Sequence, residues 1–270
     1  MRMKYDLKDK YVVVSGASGG IGGETAAVLA GEYGAKIIGI GRNEEKLKNI
    51  KTKIGDAFEY EIFDVSVREN WIGFAEKLGN RGIYPVLLVN NAGMFPRFEK
   101  TCNVSSEEFA HIMEVNFMSA VYAVEALLPL LNQNPAPGIY NVCSSAALCA
   151  VAGTAAYSAS KSALKAYTES LMLENNGKLY VGAAYPGVTM TDLFRGDERV
   201  KASGAEKIAS SPAKTAYKIV KAIISRKKRK VIGWDAAAMS FIARLLPWTG
   251  PRIIAGIMKK SGAEVFSGLF

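Results

Sequence analysis

Tyr157 and Lys161 stand four residues apart. On a helix, positions i and i+4 share a face, so a phenol and an ammonium can converge on one site. A tyrosine titrates near pH ~10, too high for efficient proton exchange at neutrality. A neighbouring cation stabilises the phenolate and is expected to bring that value toward the working pH. Taken alone, the pair also reads as a packed ring beside a lysine whose head snorkels to water. Its meaning therefore depends on its surroundings.

The second chemical feature is the run Ser15-Gly16-Ala17-Ser18-Gly19-Gly20-Ile21-Gly22. It lies between a short β-branched segment and a helical pattern. Glycines at such a junction let the chain turn tightly and let a pyrophosphate approach the helix N-terminus, where free N–H groups favour negative charge. The spacing of Gly16, Gly20 and Gly22 is G-x-x-x-G-x-G, not G-x-G-x-x-G. The third feature is Gly41-Arg42-Asn43 after the second apolar run, with no acid before Glu44. At that place an acidic side chain would bind a ribose 2′-hydroxyl, and an arginine a 2′-phosphate.

These features need strands to end at them and helices to begin there. Apolar runs at 11–15, 36–40, 58–62, 86–90, 139–143 and 180–184 read as strands. Helical patterns fall near 20–33, 43–50, 67–78, 105–131 and 155–174. Strands alternating with helices, each strand apolar throughout, predict an α/β fold: one Rossmann-type, doubly wound parallel sheet with helices on both faces. Beyond Gly187 the alternation stops. A helix at 211–225, a basic run Arg226–Lys230, a short strand at 231–233 and two apolar segments at 235–246 and 252–258 follow. The last two fall short of the roughly 20 apolar residues that span a bilayer. We expect a domain over 1–233, with a substrate loop at about 187–211, and a helical extension over 234–270 packed on it.

Composition narrows the function classes. The chain has 270 residues, 49% hydrophobic and 22% charged, which suits one large globular unit and excludes general disorder. Its three cysteines, Cys102, Cys143 and Cys149, form no C-x-x-C pair, so a disulfide framework or zinc site is not expected. With His111 as the one histidine, a histidine-rich metal site is not expected either, and His111 itself reads as a surface or packed residue. There is no G-x-S-x-G elbow for a serine hydrolase. The N-terminus lacks a signal-peptide pattern, which points to a cytoplasmic protein. Residues 195–270 hold 16 Lys or Arg against 5 Asp or Glu, while 1–194 hold 18 against 20. All the basic excess is C-terminal.

The glycine pattern, Asn90-Asn91-Ala92-Gly93, Tyr157-Ser-Ala-Ser-Lys161 and Tyr185-Pro186-Gly187 with Thr191 occur in the order and at intervals that resemble the short-chain dehydrogenase/reductase family. The resemblance covers about residues 9–195 and implies an oxidoreductase that moves a hydride between a nicotinamide and a ketone, aldehyde or alcohol. It implies a catalytic set of Asn116, Ser144, Tyr157 and Lys161. Ser144 lies 13 residues before Tyr157 and three after Asn141, as the family spacing requires; Ser145 would need a one-residue deletion. Ser144 would donate to the substrate oxygen, Lys161 would hold the nicotinamide ribose and tune Tyr157, and Asn116 would hold a water in a proton relay. The cofactor residues implied are Gly16, Ser18, Gly20, Ile21, Gly22, Arg42, Asn43, Asp64, Val65, Asn91, Ala92, Gly93, Tyr157, Lys161, Pro186, Gly187, Thr189 and Thr191. Asp64-Val65 matches the adenine pocket; Thr189 and Thr191 match positions at the nicotinamide amide and adjacent phosphate.

Arg42 favours NADP(H) over NAD(H), although the glycine loop carries Gly19 where many NADP-using relatives have a basic residue. A bulky or lipid-like substrate, of steroid or 3-ketoacyl type, is suggested by the apolar C-terminus. A catalytically silent cofactor sensor or binding protein on the same fold is the alternative. We expect no nucleic-acid partner and no metal. A homodimer or tetramer is expected, because Phe117, Val121, Val124, Leu127 and Leu128 are more apolar surface than one sheet face can cover. For 235–246, with Met239, Phe241, Ile242, Leu245 and Leu246, the expected cover is the enzyme's own substrate pocket; a subunit contact or peripheral membrane contact aided by Arg226–Lys230 are the alternatives.

Overall fold

In the computed structural model, residues 5–175, 177–191 and 209–270 are described. Seven strands form one parallel sheet: β1 (Tyr11–Ser15), β2 (Lys36–Gly41), β3 (Phe58–Ile62), β4 (Leu87–Asn90), β5 (Gly138–Val142), β6 (Tyr180–Pro186) and β7 (Arg229–Ile232). Their spatial order is β3-β2-β1-β4-β5-β6-β7. The order reverses between β1 and β4, and in open α/β sheets ligands bind at that crevice, beyond the carboxyl ends of the strands.

Alternation along β1 divides the core into two layers. Val12 and Val14 face one side, with Leu29 of α1 (Gly20–Tyr33) and Ile219 and Ile223 of a late helix, Pro212–Ile224. Val13 faces the other, with Trp71, Phe74 and Leu127. Trp71 and Phe74 belong to α3 (Arg68–Asn80), and α2 (Glu44–Ile54) precedes it, capped by Asn43, whose Oδ1 accepts from Lys46 N at 2.8 Å.

The pattern read as one helix over 105–131 is interrupted. α4 (Ser106–Met113) runs into a π-helical turn, Glu114–Met118, and then α5 (Ser119–Leu131). The stretch from Ser106 to Leu131 is long and apolar enough to cross a membrane, but its Ala123, Val124, Leu127 and Leu131 lie in the core layer beside β4 and β5. Val124 and Leu127 are thus covered by their own chain and call for no partner, a correction to the expectation above; Phe117, Val121 and Leu128 are half-buried.

α6 (Ala155–Glu174) carries the Tyr-Lys pair and α7 (Pro212–Ile224) backs the sheet against α1. The short strand expected at 231–233 is β7, which pairs parallel with β6 but starts two residues earlier, so Arg229 and Lys230 of the basic run belong to the sheet. Arg226, at φ +48°, stacks over Tyr5 and Tyr180. Two helices close the chain, α8 (Trp234–Leu245) and α9 (Gly250–Lys260). The substrate loop expected at 187–211 lies largely outside the described residues.

Candidate active site

The carboxyl ends of β1, β2, β4, β5 and β6 open onto a cleft of about 580 Å³. Every residue expected to bind the cofactor lines it, and so does Ser144.

The glycine turn is shaped by close approach. Gly16 has φ +66°, and a Cβ there would lie 2.8 Å from Ala92 Cα; a Cβ on Gly22 would lie 2.2 Å from Gly16 O. Only glycine permits this packing of turn on helix. The turn is pinned across the topological reversal by Ser15, whose Oγ accepts from Asn91 N at 3.0 Å and Ala92 N at 3.1 Å. Asn91 Nδ2 returns a bond to Ser15 O at 3.1 Å.

At the far side of this cleft, Arg42 Nη1 lies 3.6 Å from Asp64 Oδ2, both side chains being substantially exposed. Asp64 Oδ1 accepts from Ser66 N at 2.9 Å and Ser66 Oγ at 2.7 Å. Partial burial works to raise the Asp64 pKa, but the Ser66 bonds and the Arg42 charge outweigh it and hold the carboxyl below its ordinary value. Lys46, in the first turn of α2, lines the cleft together with Arg42. The sequence reading missed it, because Arg42 precedes the Asn43 cap and Lys46 lies in the first turn of α2, so no single periodicity links them.

At the inner end, Ser144, Tyr157 and Lys161 converge. Ser144 follows β5 and sets its hydroxyl where it favours the Tyr157 phenolate; Ser145 is buried in the next turn and does not line the cleft. Lys161 is buried and donates from Nζ to Val142 O at 3.2 Å. Burial drives its pKa down from 10.5 to about 8. The expected depression of the Tyr157 phenol does not occur in this structure. Burial raises it, and the Ser144 hydroxyl offsets only part of that rise. Phe95 packs edge-on against the Tyr157 ring, centroids 5.2 Å apart, which adds apolar surroundings.

Asn116 does not line the cleft. It sits buried in the π-helical turn, where Oδ1 accepts from Met94 N at 2.7 Å and Nδ2 donates to Met94 O at 2.9 Å and Ser160 Oγ at 3.1 Å. Ser160 in turn donates to Tyr157 O at 2.8 Å. Asn116 thus ties the strand-end loop to the helix bearing the Tyr-Lys pair. A second buried chain does the same from the sheet: Asn90 Nδ2 donates to Asn141 Oδ1 at 2.9 Å, and Asn141 Nδ2 to Thr168 Oγ1 at 2.8 Å. Neither Ser160 nor Thr168 stood out in sequence. His111 is exposed. Cys143 lines the cleft, but burial pushes its thiol up to about 12, leaving it unreactive.

Beside Tyr157, the loop after β4 meets residues from the C-terminal segment in a series of ring contacts. Phe95 meets Phe98 edge-on at 5.0 Å, and Phe98 meets Phe266 at 5.1 Å. Leu269 lies against Gly153. The inner side of α8 packs on the 145–147 turn, but Phe241, Leu245 and Leu246 are exposed. No residue of 235–246 lines the cleft, so the roofing expected of this helix is not seen: Phe241, Leu245 and Leu246 are turned outward.

The cleft fits a dinucleotide on its own chemistry. Thr191 Oγ1 is buried at its wall with no hydrogen-bond partner among the described residues. The N-terminus of α1 opens into it through glycines, leaving backbone N–H groups for a pyrophosphate.

Comparison with known proteins agrees. The short chain dehydrogenase family profile matches residues 10–201. The chain is 30% identical over 285 residues to the 3-ketodihydrosphingosine reductase of Bos taurus, covering 98% of this chain and 82% of that protein. It is 32% identical over 195 residues to the uncharacterized oxidoreductase YciK of Escherichia coli, covering 69% and 76%. The ligand-free aldohexose dehydrogenase of Thermoplasma acidophilum shares the fold, with TM-score 0.72, 24% identity and coverage of 87% of this chain and 96% of that one. This chain belongs to the short-chain dehydrogenase/reductase family of oxidoreductases, a membership that implies a nicotinamide cofactor.

Proposed function

We propose that this protein is an NADP(H)-dependent oxidoreductase that interconverts a ketone or aldehyde and an alcohol, acting on a bulky, lipid-like substrate. The observation that carries the reading is the convergence of Ser144, Tyr157 and Lys161 at one end of a cleft whose other end holds Arg42 and Lys46.

When bound, the nicotinamide donates or accepts the hydride. The chain's own groups do the rest. Tyr157 gives its phenolic proton to the substrate oxygen in reduction and takes it back in oxidation. Ser144 donates a hydrogen bond to the same oxygen as charge develops on it. Lys161 holds the ribose and, once its ammonium turns from Val142 O toward the phenol, favours the phenolate. Asn116 positions these groups through Met94 and Ser160 and lies where a relay water would pass toward Lys161. Asn91, Ala92 and Gly93 with Pro186, Gly187, Thr189 and Thr191 flank the nicotinamide, while Asp64 and Val65 flank the adenine.

Cofactor preference rests on Arg42. Its ion pair with Asp64 is long and exposed, the kind worth little in water, so a 2′-phosphate can displace it. Lys46 supplies the second positive charge that Gly19 does not. Substrate class rests on the aromatic series from Tyr157 through Phe95 and Phe98 to Phe266, an apolar wall suited to a long or polycyclic ketone. A relative named for a sphingoid ketone matches this chain nearly end to end, which supports the same class here. The half-buried Val121 and Leu128 of α5, with Phe117 in the turn before it, support a homodimer. A reducing, cytoplasmic setting suits the three free cysteines.

A substrate screen followed by NADPH absorbance tests the reading, with steroids, 3-ketoacyl thioesters, ketosphinganine-like lipids and small sugars as arms. Turnover of a lipid-like ketone with NADPH is the expected result. Tight NADPH binding without turnover of any arm would replace it with the silent binding-protein reading.

A further inference from the structure

We propose that the α8–α9 hairpin is a docking surface for an anionic lipid bilayer, on which the enzyme rests without spanning it. On α8 the exposed residues Trp234, Ala237, Phe241 and Leu245 follow one another at spacings of three and four, so they form a single stripe. Leu246 and Trp248 continue it into the connection, and Ile253 and Ile257 repeat it on α9. Trp248 is 87% exposed, Trp234 67% and Phe241 65%, values that isolated surface apolar residues do not explain when they adjoin one another. The hairpin commits little to its own core: Ala236 is the buried residue of α8, and Gly250 and Met258 those of α9.

Charge selects the occupant. Between Trp234 and Lys260 the exposed charges are Arg244, Arg252, Lys259 and Lys260, all positive. The one acid in that span, Asp235, is turned inward, where its Oδ2 accepts from Val188 N at 2.7 Å. Arg229 flanks the stripe and donates from Nη2 to Ser240 Oγ at 3.1 Å. Tryptophan and aliphatic side chains bordered by lysine and arginine are the composition of a helix lying in a headgroup region. A second copy of this chain fits worse, since a two-fold contact would set the same basic residues against each other. The helices have 12 and 11 residues, too short to cross a bilayer.

Co-sedimentation of the full chain tests this with two vesicle types, phosphatidylcholine alone and equal parts phosphatidylcholine and phosphatidylglycerol. The protein is expected to pellet with the mixed vesicles at low ionic strength, to be released by high salt and to stay in solution with phosphatidylcholine alone. Trp71 is fully buried, so a blue shift of fluorescence on binding reports Trp234 and Trp248. Phe241→Ser with Trp248→Ser should weaken binding at least tenfold while NADPH binding stays unchanged. Lys259→Ala and Lys260→Ala, both at exposed positions, should each weaken it roughly fivefold. Failure to pellet with mixed vesicles, or equal pelleting by the Phe241/Trp248 variant, overturns the proposal. Conversion of a dimer to a monomer by that variant, read by light scattering, also overturns it and assigns the face to a second copy.

Discussion

The hydroxyl of Ser144 lines the cleft with Tyr157 and works to lower the phenol's pKa, whereas Ser145 is buried in the next turn, away from the cleft. Ser144→Ala should therefore lower kcat roughly 100- to 1000-fold, the usual effect of losing an oxyanion donor. Because that hydroxyl holds the phenol's pKa down, the limb of the pH–rate profile belonging to Tyr157 should move to higher pH in the same variant. Ser145→Ala should do neither. A larger loss in Ser145→Ala, measured side by side, would reverse the assignment.

Tyr157→Phe removes the proton donor and keeps the ring against Phe95. Turnover should fall by roughly two to four orders of magnitude, the span of general acid–base catalysis. NADPH affinity and thermal midpoint should stay near those of the parent, as fluorescence titration and calorimetry can check.

Arg42→Ala should raise the Kd for NADPH roughly 10- to 100-fold, the range for a lost hydrogen bond to a charged group. NADH binding should change little. Lys46→Ala is expected to act in the same direction with a smaller effect. Equal losses for both cofactors in a binding titration would mean that Arg42 does not meet the 2′-phosphate.

Lys161 gives a stability test with a definite sign. Burial lowers its pKa from 10.5 to about 8, so the folded state holds this proton less tightly than the unfolded chain. Below pH 8 both states are protonated and the fold bears the whole cost of a buried ammonium. The cost fades as pH rises through 8 and is gone above 10.5. Lys161→Met should then be inactive yet more stable than the parent at neutral pH, by on the order of 1 kcal/mol after loss of the bond to Val142 O. Urea midpoints of both proteins at neutral and alkaline pH should converge.

Phe266 meets Phe98 in the aromatic series that begins at Tyr157, the apolar wall proposed for the substrate. Phe266→Ala should reduce kcat/KM for a bulky ketone roughly tenfold and leave a small ketone nearly unchanged, in keeping with the worth of one pocket contact. Steady-state kinetics on the two substrates would show the split.

What could be read in advance was local chemistry in short windows. The glycine turn, the Tyr157–Lys161 spacing and the apolar strand runs each depend on neighbours in sequence, and from them the sheet and the cleft lining follow. What escaped depends on contacts between distant segments. Asn141 and Thr168 are 27 positions apart and meet only because β5 and α6 are packed together. The state of the Tyr157 phenol was misjudged because sequence shows Lys161 nearby but not Phe95 pressing on the ring or Val142 O drawing the ammonium away. On α8 a helix was evident, but which side turned outward depended on Asp235 being anchored at Val188 N.

The π-helical turn at Glu114–Met118 places one surplus residue in an otherwise continuous rod. A single residue turns a helix by about 100°, so the surplus lets α4 and α5 each keep its own apolar side inward while Asn116 is swung toward Met94. Removing one residue from this turn would complete the regular backbone ladder and give a tidier helix. It would also rotate everything on one side of the cut out of phase with everything on the other. Attempts to stabilise this enzyme by regularising that helix would therefore trade hydrogen bonds in the backbone for the alignment of the Tyr-Lys helix with the loop after β4, and the loss would be felt at Tyr157, two bonds removed from the edit.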